Sequence, residues 1–360
     1  EGKTMGLAPY GTDRYYKDFL EAIKFQNGTM AIESSYQFNK WRKAAGTAYG
    51  GRYGNPGTGT GSPRELDMDI AAAAQYALEE ALIEIADSAQ KTTNSKNLCL
   101  AGGVALNSVA NKKILDRTAF SNIFVQPASG DDGCALGNAL LGWISLLERP
   151  RKWRMKNAYA GRSYSSAEVA NAVKSYGRWC TPVETENILQ TTCRLLAEKN
   201  IIGWFQGGSE FGPRSLGHRS ILSDTRFAEM KDRLNAKVKH REGFRPFAPS
   251  ILQECCSDYF DLDCPSPYML LIADVKKPDA IPASTHVDQT ARVQTVNQEN
   301  NGIFYDLIQE YHRLTGVPVV LNTSFNVAGE PIVETPEDAI RCFLCTNIDY
   351  LVLEDTLLRK

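Results

Sequence analysis

No run of apolar residues approaches the ~20 that a helix needs to cross a bilayer, so nothing here reads as a membrane span. No secretory signal opens the chain, and the expected compartment is the cytoplasm. The nine cysteines accordingly read as reduced thiols. Cys342 and Cys345 form a lone C-x-x-C without a second pair, and Cys255 and Cys256 are adjacent, so no zinc site is expected. The formal net charge of −2 lacks the basic excess that a phosphate backbone demands, and no nucleic-acid partner is expected. Histidine is scarce: His218, His240, His286 and His312 are all there is, and none lies four residues from another. No internal repeat is visible. The chain opens Glu1-Gly2-Lys3-Thr4 with its first methionine at Met5, which reads as a fragment of a longer protein.

What remains is an ordinary globular composition in 360 residues, enough for two domains at about 100–200 residues each. A charged, proline-bearing break, Glu148-Arg-Pro-Arg-Lys-Trp-Arg154, puts the boundary near 150–165, and we divide the chain as 1–155 and 156–360. In the first part Met5 to Gly11 reads as a turn-rich loop. Residues 46–63, with seven glycines and two prolines, read as a mobile surface loop. A long helix is expected from Met68 or Asp69, with an apolar stripe through Ala73, Tyr76, Ala77, Leu82 and Ile85. Leu98 to Ala101 is a short strand running into Gly102-Gly-Val-Ala-Leu-Asn107 and a helix. Strand, double glycine and helix can bind phosphate through bare N–H groups at a positive helix end, or can reflect close packing. Strand Ile123–Gln126 leads to Gly130-Asp-Asp-Gly133, where two acids can hold a metal, orient a nucleotide or cap the following helix.

The second part is organised around Gly203 to Arg226. An apolar run, Ile201 to Phe205, enters a segment holding Gly207, Gly208, Gly212, Pro213 and Gly217, with Arg214, Arg219 and Arg226 in or beside it. Glycine lets the backbone turn and approach a ligand, and arginine offers a planar fork for phosphate or carboxylate. This reads as an oxyanion pocket at a strand-to-loop junction, or as an ordinary glycine-rich loop with solvated arginines. Arg226 is the exception, and is read as structural at a helix start with Asp224 as N-cap. Lys239, Arg241 and Arg245 follow in one glycine- and proline-rich turn. Arg245 lies between Phe244, Pro246 and Phe247, and a partly buried cation needs an anion. His286 to Thr295 alternates polar and apolar residues with Arg292 inside. Strand Val317–Leu321 runs into Asn322-Thr-Ser-Phe-Asn326, whose amides and hydroxyls can read a small planar ligand. Thr335-Pro336-Glu337-Asp338 is a helix start.

Seven of these segments, in register from end to end, resemble the NodU/CmcH-type O-carbamoyltransferases. They are Lys3 to Gly11, Gly102 to Asn107, Gly130 to Gly137, Phe211 to Ser220, Arg245 to Pro249, His286 to Thr295 and Asn322 to Asn326. The resemblance implies an α/β chain: the C-terminal lobe of an actin-like (ASKHA) ATPase domain followed by a YrdC-like α/β domain. It implies that carbamoyl phosphate is split and that the resulting carbamate attacks ATP. The carbamoyl-adenylate so formed then carbamoylates a hydroxyl of a small-molecule acceptor, a natural product or sugar. By position, Gly102, Gly103, Asn107 and Asp132 face the nucleotide, and Asp131 is a ligand of a divalent metal (Fe, or Mg/Mn). Lys239, Arg245, His286, Arg292, Asn322 and Ser324 bind carbamoyl phosphate, with Arg214, Lys239 and Arg245 catalytic. Two departures stand out. The family's H-x-x-x-H pair, which completes the metal site, has no counterpart here, so the chain is expected to be incomplete for the full reaction. Glycine is expected where Gln289 stands. Two other readings stay open: a threonylcarbamoyl-adenylate-type tRNA modification enzyme, and a non-catalytic nucleotide-binding remnant. Oligomeric state is not legible, and a homodimer is left open.

Overall fold

A computed structural model describes residues 2–26, 29–32 and 63–360. Residues 33–62, most of the glycine-rich stretch expected to be a mobile loop, lie outside the described residues. The chain divides into two compact units. One comprises Glu1–Cys99 with Val109–Phe124, and the other Leu100–Ser108 with Val125–Lys360.

The first unit is built on one helix, Glu65–Thr93, which starts a turn before the expected point. The Asp67 carboxylate accepts the Arg64 amide at 3.0 Å and the Arg64 guanidinium at 2.8 and 2.9 Å there, so the helix gains its first turn from side chains N-terminal to the apolar stripe. Its buried face is mostly alanine, which lets other backbone approach closely. Gly11 does so: a Cβ at that position would lie 2.2 Å from the Met68 carbonyl oxygen. Asp69 is buried and accepts from the amide and hydroxyl of Thr12, both at 2.8 Å. The expected loop at Met5–Gly11 is instead a short helix, Gly2–Leu7, and a 3-10 turn, Ala8–Tyr10. Contact with the long helix stabilises what six residues would not hold alone. This unit also holds a hairpin of β1 (Ile23–Gln26) and β2 (Thr29–Ile32). Strands β3 (Asn97–Leu100) and β4 (Asn122–Val125) form a two-stranded sheet.

In the second unit nine of the described strands form a mixed sheet. They are β5 (Thr181–Val183), β6 (Ile202–Phe205), β7 (Arg219–Ser223), β8 (Ala248–Leu252), β9 (Leu271–Asp274), β10 (Thr290–Val296), β11 (Val319–Ser324), β12 (Tyr350–Leu353) and β13 (Thr356–Arg359). Their order is β5-β13-β12-β6-β7-β11-β8-β10-β9. The pairs β6–β12 and β8–β10 are parallel, and the others antiparallel. Successive side chains alternate faces, and here both faces are covered, so β6 and β12 are almost wholly apolar, whereas β7, β8, β10 and β11 carry buried polar residues among apolar ones. On β6, Ile202 and Trp204 point into one core and Phe205 into the other; Val352 is divided in the same way from Leu351 and Leu353 on β12.

Helices Ile188–Ala197 and Ile303–Thr315 cover one face. The second of these buries Phe304, Leu307, Ile308 and Tyr311 completely, at the i, i+3, i+4, i+7 spacing of a helix stripe. Each such aliphatic side chain contributes about 1.5–3 kcal/mol. Helices Ser166–Ser175, Glu229–Leu234 and Pro336–Leu344 cover the other face. The helix from Cys134 to Leu141 continues as a wider π-type turn to Leu146 and leaves Leu141, Trp143, Ile144 and Leu146 exposed. Among the described residues no helix is long and apolar enough to cross a membrane.

Candidate functional site

Strand periodicity puts Arg292 and Gln294 on one face of β10, and Asn322 and Ser324 on one face of β11. The register sets Gln294 beside Ser250 of β8, and Asn322 beside Ala248. A buried polar network results. Ser250 Oγ lies 2.6 Å from Gln294 Oε1, and Asn322 Nδ2 donates to Ser250 Oγ and Gln294 Oε1, both at 3.1 Å. Gln294 Nε2 donates to the Leu216 carbonyl at 2.7 Å. Asn322 is 1% exposed, so its amide is spent on protein partners rather than presented to a ligand.

Five cations gather around this network. Arg214 hangs from the glycine-rich segment between Phe205 and Arg219. Lys239 ends a π-type turn, Asn235–Lys239, which closes at His240 in the left-handed region at φ 45°. Arg241 and Arg245 follow, and Arg292 lies on β10. For Arg214 and Arg292 the charged neighbours that act most strongly are other cations of this set. Burial and then Arg245 push Arg214 down to about 10; the same two causes push Arg241 down to about 9. Arg292 falls well below its ordinary value through burial, then Arg214, Arg241 and Arg245. Glu242 approaches Arg245 at 3.9 Å, too long for a hydrogen bond. Nε of Arg214 and Nε of Arg292 are buried with no hydrogen-bond partner. All four arginines nonetheless keep accessible surface. A guanidinium that is desolvated yet reachable lines a recess, and its unpaired donors call for an anion there.

Lys239 is set differently. It is 3% exposed, and its Nζ donates to the carbonyl of Ser324, to Ser324 Oγ at 3.2 Å, to the Asn326 carbonyl at 3.0 Å and to Asn326 Oδ1 at 2.7 Å. It pins the end of β11 while adding charge to the recess. Burial first, and then Arg241, push the ammonium down to about 7. His286 sits in the turn that enters β10. Its Nδ1 lies 3.2 Å from Thr290 Oγ1, and Thr290 in turn donates to Asp288 at 2.8 Å. Burial lowers His286 to about 4; Asp288 opposes that shift, whereas Arg292 and Lys231 add to it. Gln289, in the place where glycine is expected, has φ 64°, the left-handed backbone that favours glycine.

The remaining arginines of the opening stretch are structural. Arg219 is fully buried, donates to the carbonyls of Gln206 at 2.7 Å and Gly207 at 3.0 Å, and lies 3.5 Å over the Phe205 ring. Arg226 is held by Asp224 through bonds of 2.7–3.1 Å. Asp224 is not the helix N-cap expected of it. It accepts the Arg226 amide at 2.9 Å in a local turn, and the helix begins later, at Glu229.

The glycine loop bonds to the segment that leads to the acidic pair. Gly102 donates to the Ser129 carbonyl at 2.8 Å, with φ 99°, and Gly103 and Asn107 lead into helix Ser108–Arg117. Asp131 and Asp132 lie exposed on the 3-10 turn Asp131–Gly133. Glycine is required at Gly212, where φ is 130° and a Cβ would lie 2.6 Å from the Pro127 carbonyl oxygen. The loop carrying Arg214 therefore packs on the segment that leads to Asp131. Among the described residues no group of three His, Cys, Asp or Glu side chains could hold a metal ion. Asp131 and Asp132 alone do not fit one, since tight sites use three or four protein ligands.

Sequence reasoning groups Arg241 with Lys239 and Arg245 but assigns it no role, and it leaves out Glu210 and Gln294. Gln294 stands two residues beyond Arg292, so strand alternation carries a signal for it; Glu210 gives none that sequence alone could read.

The fold and the site together define an α/β unit with a cluster of cations beside its sheet. Comparison with known proteins makes this specific. Residues 1–140 match the family described as Carbamoyltransferase N-terminus, and residues 193–360 match Carbamoyltransferase C-terminus. The chain belongs to the carbamoyltransferase family, a family of enzymes. Nodulation protein NolO of Bradyrhizobium diazoefficiens is 39% identical over all of this chain and 66% of its own length. Nodulation protein NolNO of Sinorhizobium fredii is 39% identical over all of this chain and 53% of its own length, and an uncharacterized protein of Synechocystis sp. is 40% identical over 100% and 64%. The chain thus spans about two thirds or less of these relatives. A crystal structure of full-length HypF in the phosphate- and nucleotide-bound form aligns at TM-score 0.34 and 18% identity, over 48% of this chain and 22% of that one.

Proposed function

We propose that this chain carries the carbamoyl-phosphate site of an ATP-dependent O-carbamoyltransferase whose acceptor is a hydroxyl of a small natural product or sugar. The observation that carries the proposal is the recess itself: Arg214, Lys239, Arg241, Arg245 and Arg292 meet with two buried guanidinium donors unpaired. A dianionic acyl phosphate satisfies both the charge and the donors. Cations aimed at the phosphoryl oxygens stabilise phosphate as it leaves, in a site already oriented for it. Ser324 belongs to the same site, its hydroxyl accepting from Lys239 Nζ at 3.2 Å and donating to Asn326 Oδ1 at 2.7 Å, and Asn322 fixes the strand that carries it. Asn322 acts through its network, so its role is to position rather than to contact the carbamoyl group.

In this reading, water cleaves carbamoyl phosphate to carbamate and inorganic phosphate, with its protons released to solvent. Carbamate attacks the α-phosphorus of ATP with loss of pyrophosphate, and the acceptor hydroxyl takes the carbamoyl group from carbamoyl-adenylate, releasing AMP. Gly102, Gly103 and Asn107 at the start of helix Ser108–Arg117 suit nucleotide phosphates, and Asp132 is assigned to the same nucleotide. The actin-like and YrdC-like domain assignments, with the division at 155/156, and cytoplasmic location belong to this proposal. A metal site including Asp131 needs ligands beyond those described, and no step is assigned to it. That shortfall favours one second reading, in which this polypeptide alone binds its ligands and performs the first cleavage without completing transfer.

Phosphate release from carbamoyl phosphate by the purified chain tests the proposal. Arg245→Ala should lower the rate by about 100-fold or more, as loss of an oxyanion donor does. Undiminished release by the variant overturns the assignment.

A further inference from the structure

Glu210 lies four residues before Arg214 in the same loop. One of its oxygens, Oε1, accepts three backbone N–H groups from the far side of that loop: Leu216 at 2.6 Å, His218 at 2.9 Å and Arg219 at 3.2 Å. The carboxylate thus joins the two ends of the segment that bears Arg214. The far end is tied again: the Leu216 carbonyl accepts from Tyr159 Oη at 2.9 Å and from Gln294 Nε2 at 2.7 Å. The near end is held where the Phe211 amide donates to the Ala158 carbonyl at 2.6 Å. Arg214 itself has no such tether, and its Nε has no partner.

Such a restraint answers a physical need. Arg214 faces Arg245 and Arg292. Like charges at close range repel, and a long side chain on a free loop would swing towards water. Only a loop with fixed ends keeps Arg214 over the recess before the anion arrives, and affinity gained in this way is preorganisation rather than contact. Charge-assisted bonds to backbone N–H groups are the strong kind that can hold it.

We propose that Glu210 is a positioning residue: it sets Arg214 against Arg245 and Arg292 and so determines the affinity of the recess for a phosphate dianion. This rests on the assignment of Arg214 to the anion site. A double-mutant cycle separates the two claims, with inorganic phosphate titrated calorimetrically into the chain, Arg214→Ala, Glu210→Ala and the double variant. Arg214→Ala should weaken phosphate about 10-fold or more, the loss expected for hydrogen bonds from a charged group. Glu210→Ala should weaken it by a similar factor alone, but by less than about 2-fold in the Arg214→Ala background, because coupled sites are non-additive. In an Arg245→Ala background the Glu210 effect should shrink only in part, because Arg292 still repels Arg214.

Glu210→Gln keeps an acceptor oxygen in place and should recover most of the affinity. Glu210→Asp keeps the charge but shortens the reach; it should behave as Glu210→Ala and can carry the cycle if the alanine variant does not fold. Unchanged affinity in Arg214→Ala overturns the pocket assignment. A loss in Arg214→Ala that Glu210→Ala and Glu210→Asp do not share overturns the role of Glu210, and so does an equal Glu210 effect with and without Arg214.

Discussion

Gln289 holds an exposed turn at φ 64°, a conformation that costs an L-residue about 1–2 kcal/mol and glycine little. Against this stands the extra freedom that glycine gives the unfolded chain. Gln289→Gly should therefore stabilise by about 0.5–1 kcal/mol net, read as a higher denaturation midpoint with unchanged slope. A lower midpoint would show that the glutamine side chain, not the backbone, matters there. Three residues earlier, His286 makes stability depend on pH. Its folded value is about 4, below the ordinary 6.5, because burial disfavours the imidazolium and Arg292 and Lys231 add repulsion that Asp288 only partly offsets. Above the unfolded value both states are neutral and the group contributes nothing. Between about 6.5 and 4 the unfolded chain takes up a proton that the folded chain refuses, so stability falls as pH falls through that window. His286→Gln should flatten this slope in urea titrations between pH 7 and pH 4.5. An unaltered slope would place acid sensitivity elsewhere.

At the level of elements, legibility followed local signals. Thr335, Pro336 and Asp338 announce a helix, and Thr335 Oγ1 accepts the Asp338 amide at 3.1 Å while Asp338 returns a bond to the Thr335 amide at 3.1 Å. Thr335→Ala should cost about 1 kcal/mol, measurable by chemical denaturation. Because helix Pro336–Leu344 buries Ile340 and Phe343 against the sheet, that loss should appear as global stability and not as local fraying. The strands escaped where polar residues interrupt them. β7 reads Arg-Ser-Ile-Leu-Ser, yet Arg219 is fully buried because backbone carbonyls absorb its donors. β8 contains Pro249, which argues against a strand inside a sheet. The cations of the site were legible as types in suggestive company. Gln294 was legible only as a strand-mate of Arg292, and Glu210 not at all, since what they bond to is fixed only when β6, β7 and β10 come together.

On the scale of the molecule, the second unit holds a sheet whose two faces are each sealed by helices, and it uses that rigidity to keep charges of one sign together. Repulsion among Arg214, Arg241, Arg245 and Arg292 opposes folding at every physiological pH, because arginine does not discharge. An anion that binds only the folded state should reverse the deficit. At 100 times its dissociation constant a ligand adds about 2.7 kcal/mol. Inorganic phosphate should therefore raise the melting temperature of the chain, whereas sodium chloride at matched ionic strength should raise it less, since screening is not site binding. Arg292→Ala separates the two effects. Without phosphate it should melt at or above the parent temperature, because one repulsive, unpaired buried charge is gone; with phosphate it should gain little. The parent should thus be the less stable protein when empty and the more stable one when loaded. A variant that melts lower in both conditions by the same amount would make Arg292 a packing residue and leave the recess without its defining charge.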